Sequence, residues 1–293
     1  MIPPPAAEVL ERLNPLTFAL TGLSKDKQVY SALGTGFFVA PYTALTAAHV
    51  VRGLWDKLEM PWKEGKYPNT SLEPEFYLAA VQQVHFSNEL LAAHWEVTGV
   101  TPLSYTDIAF LNLVPKNEVA AQFLWPKPFP ELELLPPPVG TSVWAFGYPD
   151  MTNTHTPGQE IVDFEAEPTL MGGEVTEHYS EGRAGWRFPQ FHVTCPFEPG
   201  MSGGPVIHGG RICGLISYGL TLENKKLGPA FAAAMWPLLA SEGEPSVDPR
   251  QLSNPVVEML NTGAITASDW KDIQSRITRR QIDGGESIVA LKL

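Results

Sequence analysis

A serine lies among glycines in PFEPGMSGGPVIHGG, residues 196–210. The glycines beside Ser202 have no Cβ, so backbone amides there can approach a ligand closely. This arrangement suits acyl transfer, in which a hydroxyl attacks a carbonyl carbon and nearby N–H groups hold the resulting oxyanion. A tight turn between two strands would explain the same residues, because Gly-Ser-Gly turns are common. The motif is therefore a candidate site that needs partners elsewhere in the chain.

A serine is a weak nucleophile, and it needs a base to take its proton and a third group to orient that base. Among the seven histidines, His49 ends the small, apolar run TALTAAH. Such surroundings suit an imidazole that is held rigidly, although a structural histidine would fit the same pattern. His208 comes only six positions after Ser202, in the turn HGGR, and should point away from it.

Asp107 is the candidate for the orienting acid. It opens the apolar run DIAFLNLV, residues 107–114, and a carboxylate is costly to bury there unless it is hydrogen-bonded. The alternative is an ordinary turn residue at the start of a strand. Asp56 is closer to His49 in sequence, but its segment GLWDKLEM is typical of an exposed surface. We therefore expect Asp107 to have a buried hydrogen-bond partner.

The elements that would position these residues are mostly short strands. The 28 prolines and 25 glycines indicate many turns, and strand-like runs recur at a spacing of about 8–12 residues. The proline-rich segment LLPPPVG at 134–140 separates them into two groups. The runs are 28–40, 43–51, 75–86 and 107–114, then 141–148, 169–179, 191–195, 204–208, 211–219 and 229–235. This spacing predicts two packed antiparallel barrels or a sandwich, with 134–140 as the crossover.

Helical patterns occur near both ends, at 5–13, 254–263 and 266–277. The segment NPVVEMLNTG at 254–263 has an asparagine cap, a proline at the first position and a terminal glycine. We expect these helices to cover the barrels rather than to recruit a partner.

The composition indicates a globular chain that does not bind nucleic acid. Of 293 residues, 44% are hydrophobic and 18% are charged, and the formal net charge is -12. An acidic chain is repelled by phosphates, which argues against nucleic-acid and anionic-membrane surfaces. Only Cys195 and Cys213 are present, so we expect no disulfide framework and two inert thiols. No leader and no apolar run of about 18 residues is evident, which predicts a cytoplasmic location.

The motifs TAAHV, DIAFLNL and PGMSGGPV, in this order, resemble the chymotrypsin-type (trypsin-like) serine peptidases. The likeness is strongest to bacterial HtrA-like and trypsin-2 peptidase domains without a PDZ domain, and it covers about residues 28–237. It implies an all-β fold of two packed six-stranded antiparallel barrels. It also implies His49 as general base, Asp107 as orienting carboxylate and Ser202 as nucleophile, with the N–H groups of Gly200 and Ser202 as the oxyanion hole.

The resemblance divides the chain into 1–133, with an N-terminal helix and the first barrel, 134–240 with the second barrel, and 241–293, a helical extension. A serine endopeptidase that acts on proteins or peptides through an acyl-enzyme is then expected. No cofactor or metal is implied. A role in stress response or phage defence, with a partner protein as activator, is a further hypothesis.

The same resemblance assigns a substrate-binding surface. Pro196 and Phe197 are expected at the base of the primary pocket, and Tyr218 and Gly219 in its walls. Ser217 and Gly219 are expected to bind peptide backbone. Because no aspartate lies at the pocket base, we predict a small or apolar residue before the scissile bond.

Several features leave other interpretations open. Glu198 would favour basic residues if it turned into the pocket. Met201 replaces the aspartate that pairs with a new N-terminus in the animal digestive enzymes, so activation by trimming is not expected. The segment 52–74 would be a surface loop or a regulatory lid.

The motif GMSGG also fits the nucleophile elbow of α/β-hydrolases. That fold needs its acid and its histidine after the serine, and the only histidine after Ser202 here is His208, which is too close. The order of the motifs therefore favours the barrel peptidase over the α/β-hydrolase.

A catalytically silent binding scaffold and an esterase on the same fold remain the two alternatives to a peptidase.

Overall fold

The computed structural model describes residues 6–24, 29–57, 76–86, 89–103, 105–125, 129–155, 162–183, 185–221, 227–240, 256–281 and 287–291. Strands dominate this part of the chain. The helices are α1 (Ala6–Leu13), α2 (Ala48–Lys57), α3 (Glu118–Ala121), α4 (Val256–Thr262) and α5 (Trp270–Gln274), with 3₁₀ turns at Asn14–Leu16 and Trp236–Ala240.

The strands are numbered in chain order. They are β1 (Thr17–Ser24), β2 (Val29–Ala40), β3 (Thr43–Ala47), β4 (Phe76–Phe86), β5 (Glu89–Pro102), β6 (Ile108–Pro115), β7 (Ser142–Gly147), β8 (Thr152–His155), β9 (Val162–Glu165), β10 (Thr169–Tyr179), β11 (Gln190–Val193), β12 (Pro205–His208), β13 (Arg211–Thr221), β14 (Leu227–Ala234), β15 (Ile277–Gln281) and β16 (Ser287–Leu291).

Six strands close the first barrel in the order β1-β2-β3-β6-β5-β4, with antiparallel neighbours. Aromatic rings fill much of its interior. Trp95 is buried, lies edge-on to Phe38 with ring centroids 5.3 Å apart, and donates its indole N–H to Gln82 Oε1 at 2.9 Å. Since the polar atom of the tryptophan is satisfied, the ring can be buried at little cost.

The second barrel has the order β10-β11-β14-β13-β12-β7, again with antiparallel neighbours. Small and branched side chains pack inside it, including Val143, Val206 and Ile216. The prediction of an all-β fold with two six-stranded barrels is therefore confirmed.

Some elements differ from the sequence-based expectation. The run 43–51 was expected to be one strand, but β3 ends at Ala47 and α2 begins at Ala48. The strands β1 and β5 were not predicted at all. The C-terminal segment holds helices α4 and α5, as expected, and also the two-stranded sheet β15–β16. The helix expected over 266–277 is reduced to α5.

The crossover between the barrels is held from two sides. Leu132 forms bridges to Ile212 of β13 and to Ala267, which lies between α4 and α5. The carboxylate of Asp269 accepts hydrogen bonds from the backbone N–H groups of Leu134 and Leu135, at 3.1 and 2.9 Å. The segment 132–135 thus joins the second barrel to the C-terminal segment.

In the part of the chain that the structure describes, no helix has the length and apolar character needed to cross a membrane.

Candidate active site

Asp107 lies immediately before β6 and is only 2% exposed. Three donors surround its carboxylate. The backbone N–H of His49 donates to Oδ1 at 2.9 Å, the Nδ1 of His49 to Oδ2 at 2.7 Å, and the hydroxyl of Ser217 to Oδ2 at 2.5 Å. Charge-assisted hydrogen bonds of this kind stabilise a buried carboxylate. The hydrogen-bond partners that the sequence required for Asp107 are therefore His49 and the buried Ser217.

His49 is the second residue of α2, directly after β3. Backbone N–H groups in the first turn of a helix have no partner within the helix. Asp107 supplies that partner, and its negative charge is favourable at a helix N-terminus. Because a carboxylate can only accept, Nδ1 carries the proton in the neutral imidazole and Nε2 is left as an acceptor. The side chain of His49 is 33% exposed, so part of the ring is accessible.

The serine loop, residues 196–204, requires glycine at two positions. Gly200 and Gly203 have φ values of 95° and 90°, which side chains with a Cβ rarely adopt. A Cβ at Gly203 would lie 2.1 Å from the carbonyl oxygen of Thr35, and one at Gly200 would lie 2.4 Å from that of Tyr148. The backbone of the serine loop is thus packed against both barrels.

Two peptide groups of the serine loop are fixed through their carbonyl oxygens. The N–H of Asp150 donates to Pro199 O at 3.2 Å, and the N–H of Gly204 donates to Met201 O at 2.9 Å. In a trans peptide the N–H points away from the C=O. The directions of the two N–H groups that belong to these peptides are therefore set.

Those N–H groups are the amides of Gly200 and Ser202. Within the described residues, neither of them donates a hydrogen bond to another group of the protein. Two unused donors, one on each side of Met201, are what an oxyanion would need.

Ser202 is connected to Asp107 through Ser217. The hydroxyl of Ser202 donates to the carbonyl oxygen of Ser217 at 3.1 Å, and the hydroxyl of Ser217 donates to Asp107. The structure therefore brings His49, Asp107 and Ser202 together around one residue of β13. In this arrangement the Ser202 proton is directed at a backbone carbonyl and not at His49.

The residues expected at the primary pocket are in contact with one another. Phe197 is 5% exposed and packs into the core of the second barrel, and Pro196 is half-buried. A Cβ at Gly219 would lie 3.0 Å from the carbonyl oxygen of Phe197. The backbone of Gly219 therefore runs directly past the segment that was expected to form the pocket base.

Tyr218 lies in an aromatic stack. Its ring is parallel to those of Trp186 and Phe231, with centroid distances of 4.6 and 4.7 Å. Its hydroxyl donates to Gln190 Oε1 at 2.8 Å, and Gln190 Nε2 donates to the carbonyl oxygen of Trp186 at 3.2 Å. Burial raises the pKa of the Tyr218 phenol above its usual value. This side chain is held firmly beside Ser217.

Other residues considered from the sequence lie elsewhere. His208 pairs with Glu133, with 2.8 Å between Nδ1 and Oε2, and Asp56 is exposed on α2. Of the segment 52–74, residues 52–57 belong to α2 and the rest lies outside the described residues. Among the side chains that the structure describes, no group of three His, Cys, Asp or Glu residues could hold a metal ion.

Sequence reasoning missed Thr35, which is fully buried in β2. Its hydroxyl donates to Gly200 O at 2.9 Å and accepts from the N–H of Tyr148 at 2.9 Å. The one signal in the sequence is a threonine between two glycines, in GTGFF. That signal does not reveal the partners, because they come from the other barrel.

Comparison with known proteins identifies the family. The model of the trypsin-like peptidase domain matches residues 34–215, which is more than half of the chain. The chain belongs to the trypsin-like peptidase family. The resemblance drawn from the sequence motifs and the expected enzyme class, a trypsin-like serine endopeptidase, are both confirmed. No curated protein matches this trypsin-like peptidase.

Solved structures similar to this trypsin-like peptidase are distant in sequence. The Rv3671c protease of M. tuberculosis, in its active form, is 18% identical, with a TM-score of 0.48 and coverage of 85% of this chain and 92% of that one. The HtrA-type protease AlgW with a decapeptide is 16% identical, with a TM-score of 0.49 and coverage of 78% and 63%. Neuropsin from mouse brain is 16% identical, with a TM-score of 0.45 and coverage of 76% and 90%.

Proposed function

We propose that the protein hydrolyses peptide bonds with Ser202 as nucleophile, His49 as general base and Asp107 as the carboxylate that orients His49. The observation that carries this proposal is the hydrogen-bonded path from the His49–Asp107 pair through Ser217 to Ser202. This path connects the His49–Asp107 pair of the first barrel with Ser202 of the second, and a nucleophile and its base must lie close together in this way.

The reaction follows from these positions. The hydroxyl of Ser202 turns from the Ser217 carbonyl towards Nε2 of His49, gives up its proton there, and forms a bond to the carbonyl carbon of the substrate. Collapse of the tetrahedral intermediate breaks the C–N bond, and the imidazolium donates its proton to the leaving nitrogen. Water then attacks the acyl-enzyme ester with His49 again as base, and the carboxylic acid product leaves as Ser202 regains its proton.

The oxyanion is proposed to bind the N–H groups of Gly200 and Ser202. Both donors have no other partner among the described groups, and their peptide planes are fixed through Pro199 and Met201. Donors that are already aligned need no reorganisation during the reaction, and each contributes about 3 kcal/mol to the transition state.

The substrate is proposed to be an extended peptide with a small or apolar residue before the scissile bond. Pro196 is a half-buried apolar residue, Phe197 backs it from the core, and the exposed Gly219 presents bare backbone beside the Phe197 carbonyl. Ser217 and Gly219 are proposed to bind the peptide backbone, and Tyr218 to contact a side chain of the substrate from its aromatic stack. A peptide library that is cleaved strictly after Arg or Lys would contradict this pocket and point to Glu198.

The test is covalent labelling with a fluorophosphonate, which reacts with an activated serine. We expect wild-type protein to be labelled at Ser202 and to hydrolyse a peptide library. Ser202→Ala should lose both activities by about 10⁴-fold or more, with an unchanged fold. Ser180→Ala, a change in an exposed turn, is the matched control. Labelling of Ser202→Ala at the wild-type rate would refute the proposal.

The same experiment addresses the alternative functions. A silent binding scaffold would give no labelling of the wild-type protein. An esterase would be labelled and would cleave esters, but it would leave all peptides intact.

A cytoplasmic location is proposed because Cys195 and Cys213 are unpaired, and thiols stay reduced in the cytosol. Fractionation of cells with an antibody to the protein tests it. A role in stress response or phage defence, and a partner protein as activator, remain hypotheses.

A further inference from the structure

Thr35 lies where the two barrels meet at the serine loop. It belongs to β2 of the first barrel, and three of the four hydrogen bonds described below link it to the second. Its N–H donates to Ser202 O at 2.8 Å, and its hydroxyl donates to Gly200 O at 2.9 Å. Its carbonyl accepts from Thr46 Oγ1 at 2.7 Å. Thr35 is therefore a residue of the first barrel that holds the backbone of the serine loop by two hydrogen bonds.

The hydroxyl of Thr35 uses both of its hydrogen-bonding functions. It donates to Gly200 O and accepts from the N–H of Tyr148. Gly147, the last residue of β7, directly precedes Tyr148. A Cβ at Gly147 would lie 2.9 Å from the Cα of Met201. The segment after β7 and the serine loop are thus in direct contact, and one hydroxyl connects them. A side chain that only donates or only accepts cannot replace it.

The peptide between Gly200 and Met201 is fixed at both ends as a result. Its oxygen accepts from Thr35, and its N–H donates to Glu198 O at 3.1 Å. The neighbouring peptide planes carry the unused N–H groups of Gly200 and Ser202. The Thr35 hydroxyl also accepts from the N–H of Tyr148, and two residues later the N–H of Asp150 donates to Pro199 O, in the peptide that carries the Gly200 N–H. Thr35 thus holds the carbonyl of Gly200 directly and, through the segment 148–150, the peptide plane of its N–H.

We propose that the Thr35 hydroxyl is a positioning group for the oxyanion hole, through which the first barrel sets the direction of the Gly200 amide. This inference rests on the proposed function of Ser202. It assigns a second contribution to the first barrel, which supplies the base and also the alignment of the donors that stabilise the transition state.

The test is a graded series at position 35 in the full chain. Thr35→Ser keeps both functions of the hydroxyl, Thr35→Cys offers a weak donor, and Thr35→Val has the same shape with neither function. We expect kcat to fall in that order, with a loss of about 10- to 100-fold for Val. Removing an oxyanion donor outright costs about 100- to 1,000-fold. KM should stay within about 3-fold, since ground-state binding does not use the oxyanion hole.

A transition-state analogue separates positioning from a merely structural role. A peptide aldehyde forms a hemiacetal with the serine and places its oxygen in the hole. Its inhibition constant should rise in proportion to the loss of kcat/KM across the four proteins. In the Ser202→Ala background, Thr35→Val should leave the dissociation constant of the uncleaved peptide unchanged.

Thr21→Val is the matched control for stability. Thr21 is also fully buried in the first barrel, and its hydroxyl donates to the carbonyl of Ala79 at 3.2 Å, within the barrel sheet. We expect it to lower the melting temperature while kcat stays at the wild-type value. All assays are run at a temperature where circular dichroism shows each variant to be folded.

The outcomes are distinct. An active wild-type enzyme with an unchanged kcat in Thr35→Val would overturn the inference, as would an equal loss of kcat in Thr21→Val. If Thr35→Val does not fold, the Ser and Cys variants decide, because equal kcat in Thr35→Cys and wild type contradicts the positioning role. A wild-type protein that neither reacts with the fluorophosphonate nor cleaves peptide would instead contradict the proposed function itself.

Discussion

Replacing Asp107 with asparagine would test how the carboxylate controls His49. All three partners of the Asp107 carboxylate donate to it: the backbone N–H of His49, the Nδ1 of His49 and the hydroxyl of Ser217. An asparagine offers one oxygen as acceptor and one NH₂ group as donor. It therefore cannot accept hydrogen bonds from both the backbone N–H and the Nδ1–H of His49 through separate atoms, as the carboxylate does.

The size of the effect follows from the two orientations. If the amide oxygen accepts the backbone N–H, the NH₂ group donates to Nδ1 and forces the proton onto Nε2, so His49 cannot act as base. In the flipped orientation the backbone N–H is left facing a donor, which costs about 1–3 kcal/mol. Loss of the charge beside the imidazolium removes roughly 1.5–3 kcal/mol more. Together these give a loss in kcat of about 10²- to 10⁴-fold.

The assay is the rate of fluorophosphonate labelling together with peptide hydrolysis, for wild type, Asp107→Asn and Asp56→Asn. Asp56→Asn makes the same chemical change at an exposed position of α2, the helix that also holds His49, so it should keep wild-type rates. A rate for Asp107→Asn within about 3-fold of wild type would refute the reasoning. An equal loss in Asp56→Asn would show that the effect is not specific to the buried carboxylate.

Two further predictions concern stability and the thiols. Gly203→Ala adds a Cβ against Thr35 O at a positive φ, so the urea midpoint should fall by about 1 M or more. Gly140→Ala has a positive φ but open space, and an equal fall there would contradict the clash. Burial raises the pKa of Cys195 to about 11 and that of Cys213 well above its usual value, so iodoacetamide at pH 8 should alkylate both only in urea, and rapid native labelling would disprove it. Because both pKa values are raised, the stability they contribute is complete below pH 9 and falls at higher pH.

The sequence predicts best the residues whose surroundings contradict their chemistry. Asp107 precedes an apolar run, and burying its charge requires a donor, which the structure supplies as His49 and Ser217. Turn residues separate runs of strand length throughout 28–237, which predicted two barrels or a sandwich, and the motif resemblance then selected the double barrel.

The local conformation around His49 was not predictable, for a physical reason. The run TALTAAHVV has the composition of a strand, yet α2 starts at Ala48. The helix start depends on Asp107, whose carboxylate accepts the N–H of His49 from 58 positions away in the chain. A contact of this kind overrides local propensity and cannot be read from a nine-residue window.

The role of Thr35 was hidden in the same way. Thr35 and Gly200 are separated by 165 positions, and the sequence shows no reason to pair them.

The strand β5 was missed because its pattern is mixed: most of its residues are exposed or half-buried, and few face the core. Weak alternation gives a weak strand signal.

The segment 132–135, which connects the two barrels, is held by contacts from both directions along the chain. Its bridge to Ile212 ties the connection between the halves to the second barrel, and the bridge to Ala267 and the carboxylate of Asp269 tie it to chain that comes after both. The C-terminal segment thereby supports the connection between the two barrels, one of which carries the proposed base and the other the proposed nucleophile. Val256, Met259 and Ile273 of that segment also lie in the same buried cluster as the first-barrel side chains, so shortening it would open this core to solvent and lower the stability of the whole chain.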